Sequence, residues 1–333
     1  MQKEIVKILT IDGGGIRGLI PSIILKELES KLQKLGNDKK FYEIFDLIAG
    51  TSTGGIIALG LSVPPNGLKT EEIINFYETD GKKIFPNDIF SKLKNDIRQL
   101  TDEKYEKKPL EKILKNIFNE YTLQDSLTNL LIPAYDTENR NTIFFKKRAR
   151  KKWQKKDLNF YMKDVARATS AAPTFFEASK ITSVNKEKKI CCIDGGVFCN
   201  NPAMAGYIEA LKIFPNAKEY VIVSLGTGQD RKKYDYNEIK DWGIIDWVNP
   251  IKGTPILSIL TGGESASVNH QMKNIPNVNF FRYDDKNLLK ECEAIDDSSN
   301  ENRERLKKIA FNIIKENEES LDEICKILLG KEF

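Results

Sequence analysis

The chain has 333 residues, 40% hydrophobic and 30% charged, with 52 Lys+Arg against 48 Asp+Glu and a net charge of +4. That composition supports a packed core and argues against disorder, and the basic excess is too small for a dedicated nucleic-acid binder, though compatible with an anionic membrane surface. One histidine, His270, and five cysteines without a CxxC pair argue against a multi-histidine metal site, a two-histidine acid–base mechanism and a disulfide framework; no cofactor is expected.

Residues 5–11 form an apolar run rich in β-branched side chains that ends in a glycine cluster, as a buried strand feeding a tight turn does. This start reads as a strand and not as a signal peptide, and no apolar stretch reaches the ~18 residues of a membrane span. The expectation is a soluble, cytoplasmic protein with at most peripheral membrane contact. Residues 16–35 carry apolar side chains at helical spacing (Ile16, Leu19, Ile20, Ile23, Ile24, Leu28, Leu32, Leu35), with Pro21 in the first turn and Gly36 as a stop. A second buried strand is predicted at 46–50, followed by an apolar helix to about Leu61.

Residues 64–128 change character: they are helical, Lys-rich and broken by Pro64, Pro65, Pro86 and Pro109, and read as an insertion that covers or flanks the sheet as a lid. Strands are predicted at 130–135 and 142–146. The basic run 146–156 reads as a solvated loop, with a patch for membrane phosphates as the alternative. A helix at 161–170, a strand at 188–193, a helix at 202–214, a strand at 219–225 and an amphipathic helical tail at about 300–329 follow. Cys191 and Cys192 point to opposite faces of their strand as reduced thiols. The alternation predicts a three-layer α/β/α fold around a mostly parallel sheet, as one domain over 1–333 with a helical insertion and a helical tail.

Three glycine-marked turns carry the chemistry. Gly13-Gly14-Gly15-Ile16-Arg17-Gly18 fits GxGxxG between a strand and a helix, and its N–H groups would attract negative charge, whether a pyrophosphate or the oxyanion of an acyl-transfer intermediate. Gly50-Thr51-Ser52-Thr53-Gly54 is a GxSxG sequence in the same context, that of a nucleophile elbow; the bland alternative makes Ser52 a helix cap. Asp194-Gly195-Gly196 ends a strand, so Asp194 either accepts the Ser52 proton or merely caps a turn.

These motifs, with Ala168-Thr-Ser-Ala-Ala-Pro-Thr-Phe-Phe176, Asn200-Asn201-Pro202 and Leu225-Gly-Thr-Gly228, resemble the patatin-like phospholipases over roughly residues 5–230. The resemblance implies a Ser52–Asp194 dyad without a metal, an oxyanion hole from Gly13, Gly14 and Gly15 with Arg17 in support, and fatty-acyl esters of membrane phospholipids or other lipids as substrates. Arg17 has a bland alternative, a pairing with a surface carboxylate or helix end. Compact members include antiphage, antiviral-defence effectors switched on by cyclic dinucleotides, which makes such an activator a further expectation. Two rivals stay open: a Ser52–Asp194–His270 triad, whose chain order matches the α/β-hydrolases, and a nucleotide-binding module built on GxGxxG. The stretch Trp242, Ile244, Ile245, Trp247, Val248 reads as core packing or as a membrane-dipping segment.

Overall fold

A computed structural model describes residues 3–85, 105–147, 159–229, 233–249, 254–285 and 294–330. The basic run from residue 148 onward, residues 86–104 of the insertion and Cys292 lie outside the described residues.

Strand β1 (Ile5–Ile11) leads through a single 3₁₀ turn, Gly15–Gly18, into α1 (Leu19–Lys34). Residues 16–18, which the apolar spacing assigns to the helix, belong to this 3₁₀ turn, which begins at Gly15 with a φ of +58°. Strand β2 (Leu47–Gly50) feeds α2 (Thr53–Ser62), which is buried along its whole length. The insertion contributes the helical turns Thr70–Asn75, Phe76–Asp80 and Gly81–Ile84, and α3 (Lys107–Phe118). Then come β3 (Asn129–Asp136), β4 (Asn141–Lys146), α4 (Met162–Thr169), β5 (Ser179–Thr182), β6 (Lys189–Asp194), α5 (Ala203–Ile213) and β7 (Glu219–Leu225). Helices α6 (Ile244–Val248) and α7 (Pro255–Lys273) precede β8 (Val278–Tyr283), and α8 (Asn300–Glu316) and α9 (Glu318–Leu328) form the tail.

The described strands make one sheet in the order β5-β6-β3-β2-β1-β7-β8, with β4 also on β3. Strands β3, β2, β1, β7 and β8 run parallel to their neighbours in that stretch, whereas β4 and β6 run antiparallel to β3 and β5 to β6. The parallel strands are apolar on both faces because helices cover both. Along β1, Val6 and Ile8 pack toward α5, while Leu9 and Ile11 join the larger core against α1, α2 and the tail. In the tail, Leu306, Ile309 and Ile313 are buried at helical spacing, each such side chain worth about 1.5–3 kcal/mol.

One detail of the sheet positions the site. Strand β3 pairs with β2 through Leu131↔Ala49 and with β6 through Ala134↔Asp194, so on one edge of β3 the C-terminal ends of β2 and β6 meet. Pro133 lies at the gap between them. Its carbonyl accepts the Thr169 hydroxyl at 2.6 Å, and its missing N–H removes no ladder bond there. Asp194 thus reaches the rim above β2 by an antiparallel strand.

Candidate active site

Ser52 follows β2 with φ +53° and ψ −121°, a conformation costing on the order of 1–3 kcal/mol for a residue with a side chain. The turn closes because α2 packs directly on β1: a Cβ on Gly54 would overlap the Ile11 carbonyl oxygen. Neighbouring elements hold the turn. Thr51 Oγ1 donates to the Cys199 carbonyl at 2.7 Å, and Ser52 N–H donates to Thr169 Oγ1 at 3.0 Å. Behind it, the hydroxyls of Thr53 and Tyr77 are bonded at 2.5 Å, tying the start of α2 to the insertion.

Ser52 Oγ donates to Asp194 Oδ2 at 2.6 Å, across 142 residues of chain. The other carboxylate oxygen, Oδ1, accepts the Gly196 N–H at 2.7 Å. Gly195 packs on Pro133, which keeps this turn tight. Burial pushes the Asp194 carboxyl up to about 6, and the two hydrogen bonds pull against that shift. The Asp194 side chain is therefore both a turn cap and the nearest acceptor for the Ser52 proton.

The glycine loop lies against the elbow, since a Cβ on Gly13 would come 3.3 Å from Ser52 Cβ. Gly13 N–H is taken by the Asn200 carbonyl at 3.1 Å, and its own carbonyl accepts the Thr227 hydroxyl at 2.6 Å. Ile16 N–H donates to Ile295 O at 2.8 Å, and a Cβ on Gly15 would overlap that same oxygen. No acceptor among the described residues takes the N–H of Gly14 or Gly15. Arg17 lines the same cavity.

Beneath the loop sits a buried ionic cluster that the sequence motifs did not reveal. Arg282, at the end of β8, donates to both carboxylate oxygens of Asp12 at 2.9 and 2.5 Å, to Ser224 Oγ at 2.8 Å and to Asp284 Oδ2 at 2.9 Å. Burial pushes the Asp12 carboxyl up to about 6 against the pull of Arg282; although burial also opposes the guanidinium, Asp12 and Asp284 hold it charged. On α7, Glu264 accepts the Asn201 N–H at 3.0 Å, and burial raises its carboxyl to about 7. Glu264 thereby secures the loop whose Asn200 carbonyl holds Gly13.

Ser52, Asp194 and the glycine loop open onto a cavity of about 450 Å³. Ile56 of α2 lines it with Phe76, Ile84, Phe85 and Leu110 of the insertion, so the insertion walls the cavity with apolar side chains. Its far side is Leu257, Ser258 and Thr261 of α7, and Ala294 and Ile295 lie beside the glycine loop. His270 stands on an exposed position of α7 outside the cavity lining, its backbone carbonyl accepting Asn274 Nδ2 at 2.7 Å. The structure does not bring it to Asp194, so the triad reading has no geometric support. Trp242 and Trp247 form an edge-to-face pair at 5.0 Å, while Ile244, Ile245 and Val248 point to solvent and not into a core. Among the described residues no His, Cys, Asp or Glu cluster could hold a metal, and no helix is long and apolar enough to cross a membrane.

Comparison with known proteins gives the same picture of the chain's ancestry. The family model described as patatin-like phospholipase matches residues 9–207. Patatin-like protein 2 of Arabidopsis thaliana is 34% identical over 341 residues, covering 94% of this chain and 83% of that protein. Patatin-like protein 2 of Oryza sativa subsp. indica is 31% identical over 351 residues, covering 96% and 86%. The crystal structure of VipD from Legionella pneumophila shares 13% identity at a TM-score of 0.40, over 92% of this chain and 67% of that one, too distant to add to the argument. With more than half its length matched by the family and its relatives aligned nearly end to end, the chain belongs to the patatin-like phospholipase family.

Proposed function

We propose that the protein is a lipid acyl hydrolase of the phospholipase A or lysophospholipase type, with Ser52 as nucleophile and Asp194 as its base. The observation that carries this reading is the 2.6 Å hydrogen bond from Ser52 Oγ to Asp194 Oδ2 at a strained turn facing a cavity of about 450 Å³. Ser52 Oγ attacks the ester carbonyl carbon while its proton passes to Asp194. A carboxyl raised to about 6 is a better base than a free aspartate near ~3.9, and it is still ionised at neutral pH.

The oxyanion forms beside the glycine loop. Gly13 N–H is already committed to Asn200, so the donors in this reading are Gly14 and Gly15, each worth about 2.7–4 kcal/mol in the transition state. Arg17, in the same wall, adds positive charge. Protonated Asp194 then gives its proton to the departing alkoxide, leaving an acyl-Ser52 ester. Water attacks that ester, Asp194 takes the water's proton, and the proton returns to Ser52 as the fatty acid leaves. The apolar wall of Ile56, Phe76, Ile84 and Leu110 suits the acyl chain. The working setting in this reading is a peripheral one, at the cytoplasmic surface of a membrane.

The test is product analysis on mixed phospholipid vesicles together with fluorophosphonate labelling. Ser52→Ala is expected to lower fatty-acid release by about three orders of magnitude or more and to abolish labelling. Undiminished release by the Ser52→Ala protein would reject the dyad, and loss of turnover in His270→Ala would revive the triad. Running the assay with and without cyclic dinucleotides tests the activator implied by the resemblance; full activity without one counts against it.

A further inference from the structure

Helix α7 presents different surfaces to its two sides. Thr254 at its start, then Leu257, Ser258, Thr261 and Ser265, line the cavity. At 100° per residue, Ile256, Ile259 and Leu260 fall on the opposite side, and these are 38–58% exposed. The neighbouring α6 packs against α7 and leaves Ile244 and Ile245 84% and 79% exposed, with Val248 beside them at 47%. Six aliphatic side chains are thus exposed on two touching helices, the kind of apolar surface that marks an interaction site.

The face is close to neutral. Between Gly243 and Gly263 the described residues include one charged side chain, Asp246, and its carboxylate accepts the Gly243 N–H at 3.1 Å as part of the helix start. Trp242 pairs edge-on with Trp247 of α6 and with Tyr234, at 5.0 and 5.4 Å. Tryptophan and tyrosine prefer the headgroup level of a bilayer.

We infer that the outer face of α6 and α7 docks on a zwitterionic lipid bilayer, with Ile244, Ile245, Val248, Ile256, Ile259 and Leu260 entering the boundary between headgroups and acyl chains. This deepens the lipid-hydrolase reading and rests on it. Three observations select a bilayer over a second copy of the chain. Only the thickness of one helix, ~10 Å, separates the face from the cavity. Among its described residues the patch offers one fixed charge, Asp246, with which to orient a protein partner. Its six aliphatic side chains are few against the ~20–30 residues that each side of a standard protein interface contributes.

The experiment is flotation of the full chain, carrying Ser52→Ala so that lipid is not consumed, with phosphatidylcholine vesicles. The protein is expected to float with the vesicles, its tryptophan emission shifting to the blue, and a roughly tenfold rise in ionic strength is expected to change little because screening acts on charges. Ile244→Ser with Ile245→Ser is expected to cut the bound fraction by about tenfold. Both side chains are outside the cavity, so circular dichroism and thermal midpoint are expected to stay as they were, as is hydrolysis of a short soluble ester by the double variant with Ser52 intact. Failure to float, flotation unaffected by the double substitution, or binding that needs anionic lipid and disappears in salt would overturn the inference. So would light scattering that shows a dimer dissociated by the same substitutions. Failure of the hydrolase reading is distinguishable: the intact chain would leave the soluble ester uncleaved while the flotation result stood.

Discussion

The chain writes Asp-Gly-Gly twice, at Asp12–Gly14 and at Asp194–Gly196, each time where a strand ends, and the two aspartates have different surroundings. Both are buried, and burial raises both carboxyls. Asp12 is gripped by Arg282 through both carboxylate oxygens, a fixed cation that holds it charged under the glycine loop. Asp194 meets a hydroxyl and a backbone N–H, both neutral, and the hydroxyl carries a transferable proton. The same tripeptide thus makes a rigid, charge-paired support in one place and a hydrogen-bond acceptor for a serine hydroxyl in the other. The difference lies in whether the tertiary structure supplies a counter-charge.

The strongest way to break that comparison is to remove the counter-charge. Arg282→Met strands the Asp12 and Asp284 carboxylates in the interior, and a loss of about 3–5 kcal/mol is expected in denaturant unfolding. A loss below about 1 kcal/mol would show that the cation is dispensable and that the two aspartates are not so different.

Asp194→Asn is expected to move stability the other way. The folded carboxyl titrates near 6 and the unfolded one near ~3.9, so between those values the folded state binds more protons and wild-type stability falls as pH rises. Removing the charge should therefore stabilise the protein by about 1–3 kcal/mol at pH ~8, with the gain gone near pH ~4. Thermal midpoints at the two pH values check it; equal gains at both would mean that the charge is not the cause.

The same titration sharpens the functional half of the comparison. In the proposed mechanism the ionised form is the base, so kcat/KM is expected to fall about tenfold per pH unit below about 6. Glu264, raised to about 7, could produce a similar limb; Glu264→Gln is expected to leave the limb where it is, and its disappearance would move the assignment to α7. The smallest effect belongs to Thr169→Val. It takes the acceptor from Ser52 N–H and the donor from Pro133 O, and is expected to cost about 1–2 kcal/mol of stability and roughly tenfold in kcat with little change in KM.

Much of this architecture is legible from periodicity. Strands β1 and β7 occupy the predicted 5–11 and 219–225, because continuous β-branched runs bounded by polar residues suit strands buried on both faces. The tail helices follow their apolar spacing. Most of helix α7 and strand β8 escaped that reading. Helix α7 turns one side to a cavity and leaves aliphatic side chains on the other, with Gly262 and Gly263 in its middle, so it shows no clean amphipathic stripe. Strand β8 is largely half-exposed, and β5 is a four-residue piece at the sheet edge. Arg282, Asp284 and Glu264, which brace the glycine loop, lie on or beside these unread elements, so no motif announced them.

What the sequence by itself determined is local: the three glycine turns, the strand before each of them, and Ser52 at the strained centre of one. Backbone conformations such as φ +53° at Ser52 and +58° at Gly15 leave few residue types that tolerate them or the packing around them, so composition at a turn reports its geometry. What only the tertiary structure decided is which of these turns meet. The Ser52–Asp194 bond exists because β6 runs antiparallel along β3 until its end abuts that of β2, and the Asp12–Arg282 pair joins residues 270 positions apart. Sheet order and strand direction set those meetings, and neither leaves a mark in the spacing of apolar residues along the chain.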